Sequence, residues 1–256
     1  MSRQRVGLIG LGAIGSELAR LVAADPNTSI DLVGAVVRDR SRSREAEVRT
    51  VSSLDELLAH EPNVVAEAAG HEALRLYGPA CLRVSLPLVL LSAGALADPS
   101  FESELIEAAT AGGVTAVIAS GATAALDMIG AAAEGGLDTV VHTIVKPPTA
   151  FGIDADTYRE IFRGSARAAA TQFPQNANIA AAIALAGVGL DKSEVVVAVD
   201  PAATVNRQMI DVGGAFGRLH VEIENRPSPE NPRTGLVVAM SLKHVLEKRA
   251  RQLVIG

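Results

Sequence analysis

Gly10-Leu11-Gly12-Ala13-Ile14-Gly15 places three glycines at the spacing G-x-G-x-x-G. The apolar run Val6–Ile9 precedes it. Behind it, Leu18, Leu21 and Val22 recur at helical spacing through Ile14–Ala24. Between a strand and a helix, the first glycine permits a tight turn and the second lets backbone approach a pyrophosphate. The third lets helix and strand pack closely, while the helix N-terminus offers N–H donors and a favourable dipole. The expected cofactor is NAD or NADP, with Gly10, Gly12, Ala13, Ile14 and Gly15 as phosphate-side residues. A second contact is expected where the next apolar run, Ile30–Val37, meets Arg38 and Asp39. An acidic residue there would bond a ribose 2′-hydroxyl, and an arginine would pair with a 2′-phosphate. Arg40, Arg42 and Arg44 follow closely, which tips the reading toward tolerance of NADP; for the last two a solvated charged loop is the alternative.

The remaining titratable groups offer less. His60 lies in a polar stretch and reads as a surface residue. His71 follows a predicted strand end on the cofactor side, which makes it a candidate near nicotinamide. His142 and His220 sit inside predicted strands, where alternation could point either one inward, and His244 lies on a closing helix. G-x-S-x-G, P-loop and H-E-x-x-H patterns are missing, and no spacing of His and acidic residues suggests a metal site.

The elements that must position these residues follow from pattern and composition. The 256 residues carry a formal net charge of −6, so there is no basic excess to displace counterions from nucleic acid. Hydrophobic residues make up 48% and aromatics only 3%, a composition suited to helices packed on a buried parallel sheet. Mean hydropathy is +0.27, yet no apolar run approaches the roughly 20 residues of a membrane span. The lone Cys81 excludes a disulfide framework and a Cys-based zinc site. It fits a reducing cytosol, and a cytoplasmic protein without nucleic-acid or membrane partners is expected.

Predicted strands at Val64–Ala68, Leu86–Leu91 and Val114–Ala119 alternate with predicted helices at Leu54–Leu58 and Glu102–Ala111. This pace indicates βαβ units and a parallel sheet over about the first 120 residues. A helix at Leu126–Ala133 follows, then strand-like runs at Thr139–Val145, Val195–Val199, Met209–Val212 and Leu219–Ile223. The last three alternate partially, as in an antiparallel sheet with one covered face. Helical stretches are expected near Asp156–Ile161 and Asn178–Ala186. Glu224–Gly235, with three prolines, reads as an extended surface linker, and Leu236–Leu253 as a closing helix.

Several segments together resemble the L-aspartate dehydrogenase family: GLGAIG, EAAGHEAL (67–74), LLSAGALAD (90–98), SGATAALD (120–127), KPP (146–148), FRGSARAAATQFPQNANIAA (162–181), VDPAATVN (199–206) and ENRPSPENPRTG (224–235). They span essentially the whole chain in order. The resemblance implies a doubly wound Rossmann-type α/β domain, 1–122 with 236–256, and a smaller α+β domain at 123–235 for substrate binding and dimerisation. It implies hydride transfer between NAD(P)(H) and the Cα of a small amino or imino acid, with L-aspartate and iminoaspartate first, in a homodimer serving pyridine nucleotide biosynthesis. Ala122 and Asn178 fall where the family contacts the nicotinamide cofactor, in a cleft with Ala93, Gly94 and Gly121, and Ala69 is a further expected cofactor contact. Helix capping is the alternative role for Asn178. Lys146 is a carboxylate-binding or catalytic candidate, or else a surface lysine at a strand end. Where the family runs Asn-x-His-x-Ile with a catalytic histidine, this chain has Asn206-Arg207-Gln208-Met209-Ile210. An amide at position 208 can orient a substrate or a water but cannot titrate near neutrality. An imine or ketone reductase of altered scope, or a non-catalytic NAD(P)-binding regulator, are the alternatives.

Overall fold

A computed structural model describes residues 3–41, 47–174, 176–226 and 235–255. The chain divides into two compact units. One holds the residues up to Gly121 together with those from Val237 onward, and the other is Ala122–Leu236.

The first unit contains β1 (Gln4–Ile9), α1 (Ala13–Ala23), β2 (Ile30–Val36), β3 (Thr50–Val51), α2 (Leu54–Leu58), β4 (Val64–Glu67), α3 (His71–Arg83), β5 (Leu88–Leu90), a 3-10 turn (Ala93–Ala97), α4 (Pro99–Gly112) and β6 (Ala116–Ile118). Its six strands pair in parallel in the order β3-β2-β1-β4-β5-β6. The order reverses between β1 and β4, and ligand crevices of doubly wound sheets form at the carboxyl ends of strands at such a switch point. Both faces are covered, which explains why the strands read as continuous apolar runs. Val6, Leu8, Val64, Ala66 and Val89 pack with Leu18 of α1 and with Leu242 and Leu246 of the C-terminal helix, Val237–Ala250. That helix is tied down by Glu247, which accepts from Ser29 Oγ at 2.6 Å, and by Lys243, 2.7 Å from Asp25.

Helix α3 has no counterpart among the sequence expectations. Gly78 and Pro79 lie inside it, and this pair normally signals a break. Burial of Leu74, Gly78, Pro79, Cys81 and Leu82 on one side holds the helix together regardless.

The second unit contains α5 (Leu126–Ala133), β7 (Leu137–Lys146), a 3-10 turn (Pro148–Phe151), β8 (Arg159–Ser165), α6 (Ala166–Gln172), α7 (Ala177–Ala186), β9 (Glu194–Val199), β10 (Asn206–Gly214) and β11 (Gly217–Asn225). The strand order is β11-β10-β7-β9-β8. The sheet is mixed rather than antiparallel, because β7 and β9 run parallel and the intervening β8, α6 and α7 supply the crossover that parallel neighbours need. Ile129 of α5 and Ile183 of α7 cover one face, packing on Val140, Ile210 and Val212. The helix expected near Asp156–Ile161 is instead a turn leading into β8, which pairs with β9 in antiparallel register. Long-range pairing outweighs local spacing there, and the next helix starts only where Ser165 caps α6 by accepting from Ala168 N.

Of the expected linker, Glu224 and Asn225 belong to β11, and 227–234 lie outside the described residues, as do Arg42 and Arg44. Among the described residues no helix is long and apolar enough to cross a membrane.

Candidate active site

At the end of β1 the three glycines have three separate physical reasons. Gly10 has φ +93°, and a Cβ on it would stand 2.6 Å from Ala69 Cβ. A Cβ on Gly15 would stand 2.5 Å from the Gly10 carbonyl oxygen. Gly12 is different: its φ is −85°, and a Cβ there would meet nothing within 4 Å. Neither strain nor packing calls for glycine at 12. What glycine preserves is open space over the N-terminus of α1. That terminus carries no side-chain cap and no acidic residue in its first turn, so the N–H groups around Ala13 and Ile14 face a space an anion can fill. The residues present therefore fit a dinucleotide pyrophosphate. Beyond β2, Arg38 and Asp39 are both exposed. Asp39 Oδ1 accepts from Ser41 N at 2.9 Å and Ser41 Oγ at 2.6 Å, and Arg40 stands 3.9 Å from Glu56.

Glu67, at the end of β4, was not among the expected site residues. It is fully buried. Its Oε1 accepts from Ala69 N and Gly70 N, each at 2.8 Å, and its Oε2 from Leu91 N at 3.3 Å and Ser92 N at 3.0 Å. One carboxylate thus braces the loops after β4 and β5. Those loops carry Ala69, then His71 as the half-buried first residue of α3, and Ala93 and Gly94, buried in the 3-10 turn. An acidic residue closing the run Val64-Val65-Ala66 was the available signal. Gly121, with φ +62°, ends this unit.

The second unit holds a small cavity. It brings together Ala122, Lys146 and Gln208 with Asn176, Asn206 and Asn225. Among the described residues lining it, Lys146 is the one titratable group. Its Nζ donates to Asn176 Oδ1 at 2.7 Å and lies 5.8 Å from the centre of the Phe151 ring. Burial pushes its ammonium below the usual lysine range. Asn225 Nδ2 donates to the Ala122 carbonyl at 3.0 Å.

Gln208 lines this cavity at 6% exposure. Behind it, His142 is 1% exposed, does not line the cavity, and has Nε2 2.9 Å from Gln208 Oε1. Burial pulls the His142 imidazole down to about 4, against a smaller opposing effect of its bond to Gln208, so the ring is neutral near pH 7.

Asn178 does not line the cavity. It is an exposed residue in the first turn of α7. The capping alternative for it is corrected: the residue at the helix start is Asn176, and its side chain serves Lys146 instead of the helix N–H groups. His220 pairs with Asp211 at 2.7 Å on the exposed side of β11. Among the described residues no group of three or more His, Cys, Asp or Glu could hold a metal.

The chain is similar to known proteins along its whole length. Residues 10–119 match the family described as homoserine dehydrogenase, NAD binding domain, and residues 127–249 the one described as aspartate dehydrogenase, C-terminal. L-aspartate dehydrogenase 2 of Bordetella bronchiseptica is 38% identical over 264 residues, covering 98% of this chain and 99% of the relative. The L-aspartate dehydrogenase of Ruegeria pomeroyi is 39% identical over 259 residues, with 96% and 93% covered. The crystal structure of aspartate dehydrogenase from Thermotoga maritima shares the fold, with a TM-score of 0.83 at 24% identity over 99% of this chain and all of that one. With a phosphate-ready glycine turn in one unit, an amide-rich cavity in the other and relatives matched from end to end, the chain belongs to the L-aspartate dehydrogenase family of NAD(P)-dependent amino-acid oxidoreductases.

Proposed function

We propose that the chain oxidises L-aspartate reversibly to iminoaspartate. The observation that carries this reading is the cavity lining: a half-buried lysine among side-chain amides, with no carboxylate in the described wall. Such a wall favours an anionic substrate, because a dicarboxylate supplies the counter-charge that Lys146 otherwise lacks there. Lys146 would hold one carboxylate. Gln208 would orient the substrate by hydrogen bonding without acting as a base. Aspartate would react with its amine unprotonated: the nitrogen lone pair forms the C=N bond as hydride leaves Cα, and the product is the iminium. Bound NAD(P) supplies the hydride acceptor. Gly10, Gly12, Ala13, Ile14 and Gly15 would hold its pyrophosphate, and Arg38 and Asp39 its adenosine ribose. Ala69, His71, Ala93, Gly94, Gly121, Ala122 and Asn178 would belong to the nicotinamide side.

The coexistence of exposed Arg38 with Asp39 supports use of both NAD and NADP. A cytoplasmic homodimer is part of the same proposal. Its contact would be the sheet face of the second unit that carries Val141, Thr143 and Met209, opposite the helix-covered residues Val140, Ile210 and Val212. Light scattering at micromolar concentration should give twice the chain mass.

The test of function is turnover of L-aspartate with NAD and NADP, and of oxaloacetate plus ammonia with the reduced cofactors. Lys146→Met should raise the aspartate KM roughly 10- to 100-fold, the usual cost of losing a charge-assisted hydrogen bond, while NADH binding stays unchanged. Turnover of other imines or ketones in preference to aspartate would replace this substrate with the reductase reading.

A further inference from the structure

His142 and Gln208 meet through the folded sheet, not through sequence proximity. His142 lies opposite Ile210 in the β7–β10 register, and Gln208 is two residues along on the same face. Two arrangements satisfy the 2.9 Å contact between His142 Nε2 and Gln208 Oε1 or its amide alternative. Either Nε2–H donates to the amide oxygen and leaves Nδ1 bare, or Nε2 accepts from a flipped amide and Nδ1 carries the proton. His142 Nδ1 has no hydrogen-bond partner among the described residues. Its cross-strand neighbours, Ile210 and Val195, offer no side-chain acceptor. A buried N–H without an acceptor is rarer in folded proteins than a bare acceptor, which favours the first arrangement.

The geometry points to His142 as a positioning residue that sets the polarity of the cavity. By engaging the Gln208 oxygen from behind, it turns the amide N–H2 edge toward the ligand, so that point of the cavity takes a carboxylate or carbonyl oxygen and refuses an ammonium. This rests on the cavity being the substrate site, as proposed above. Lys146 and Gln208 then both present donors, and a substrate amine must lie elsewhere.

The test has one arm that needs no turnover. Nitrogen-15 spectra of the histidine side chains in the full chain, assigned by comparison with His142→Gln, should show His142 as the Nε2–H tautomer. The Nδ1–H tautomer would overturn the inference. In a second arm, succinate, an unreactive dicarboxylate, is titrated calorimetrically into the NADH-loaded protein, and aspartate kinetics are measured alongside. His142→Leu should weaken succinate binding and raise the aspartate KM roughly 10-fold or more, with a smaller change in kcat. His142→Gln, whose amide can still donate, should restore both. Gln208→Glu, which exchanges the donating edge for oxygen, should weaken succinate binding more than His142→Leu does. Equal or tighter succinate binding by Gln208→Glu, or no succinate binding by the unmodified protein, overturns the inference. Succinate binding that follows this pattern without aspartate turnover leaves the inference standing and sinks the aspartate reading alone.

Discussion

Ser92 donates to Glu67 twice, from Oγ at 2.8 Å and from its backbone N–H at 3.0 Å, and so locks the end of β5 to the end of β4. With Ala69, Gly70 and Leu91 also donating, every hydrogen bond found for this fully buried carboxylate comes from an N–H or O–H. A carboxylate is acceptor-only, and an amide is not. Glu67→Gln would turn an NH2 group toward donors, and we expect a loss of about 3 kcal/mol in urea unfolding, the scale of an unsatisfied buried group. NADH affinity should fall with it, because Ala69 packs against the glycine turn. Unchanged stability would show that the brace is dispensable.

Gly12→Val separates cofactor recognition from folding. The Cβ would enter open space with φ at −85°, so the melting temperature should stay within a few degrees of the unmodified protein. NADH binding by fluorescence titration should disappear, since the valine fills the space a phosphate needs. Retained binding would remove the turn from the cofactor site. Gly10→Ala and Gly15→Ala should do the reverse first, destabilising the fold through clashes at 2.6 and 2.5 Å.

The glycine turn was legible in the sequence because its constraints are local: strand, turn and helix follow within twenty residues. Five of the six parallel strands were legible for a related reason, since burial on both faces makes them largely apolar; β3, only Thr50 and Val51, is too short to leave such a run. Helix α3 was hidden by Gly78-Pro79, and β8 by a helical spacing that pairing with β9 overrides. The cavity was legible only as separate residues. Nothing near Gln208 in sequence announces His142, which lies 66 positions away and meets it only through the β7–β10 register. Asn178, two places from Asn176, shows the same limit: helix phase, decided by tertiary packing, determines which asparagine faces Lys146.

His142 also makes stability depend on pH in a defined window. Its folded value is about 4, below the ordinary histidine value of 6.5. As pH falls below 6.5 the unfolded chain takes up a proton that the folded chain refuses, so stability is lost from pH 6.5 down to about 4 and is unaffected above that window. The difference corresponds to about 3 kcal/mol at 1.36 kcal/mol per unit. Comparing the unmodified protein with His142→Gln by urea unfolding at pH 7, 5.5 and 4 cancels the shared carboxylate effects. The gap between the two should move by about that amount in favour of the variant at low pH. A gap that stays constant would mean the imidazole is not buried as described.

Gln208→His probes the chemistry itself. Position 208 lines the cavity, so an imidazole there would place a titratable group beside the substrate where the described wall now has only Lys146. It would also replace the amide edge that His142 holds, and His142 Nε2–H could donate instead to the new ring. General acid–base catalysis contributes about 10²- to 10⁴-fold where it operates. If aspartate is the substrate, turnover should therefore rise measurably, with an acid limb near the ordinary histidine range that the unmodified enzyme lacks. The aspartate KM should rise at the same time, because a neutral ring offers a carboxylate at most one donor where the amide offers two. Higher kcat together with higher KM would mark the residue as a trade of catalytic proton transfer for substrate binding. An unchanged or lower kcat, with NADH binding intact, would instead place this chain's chemistry on a substrate whose reduction needs no titrating group at 208.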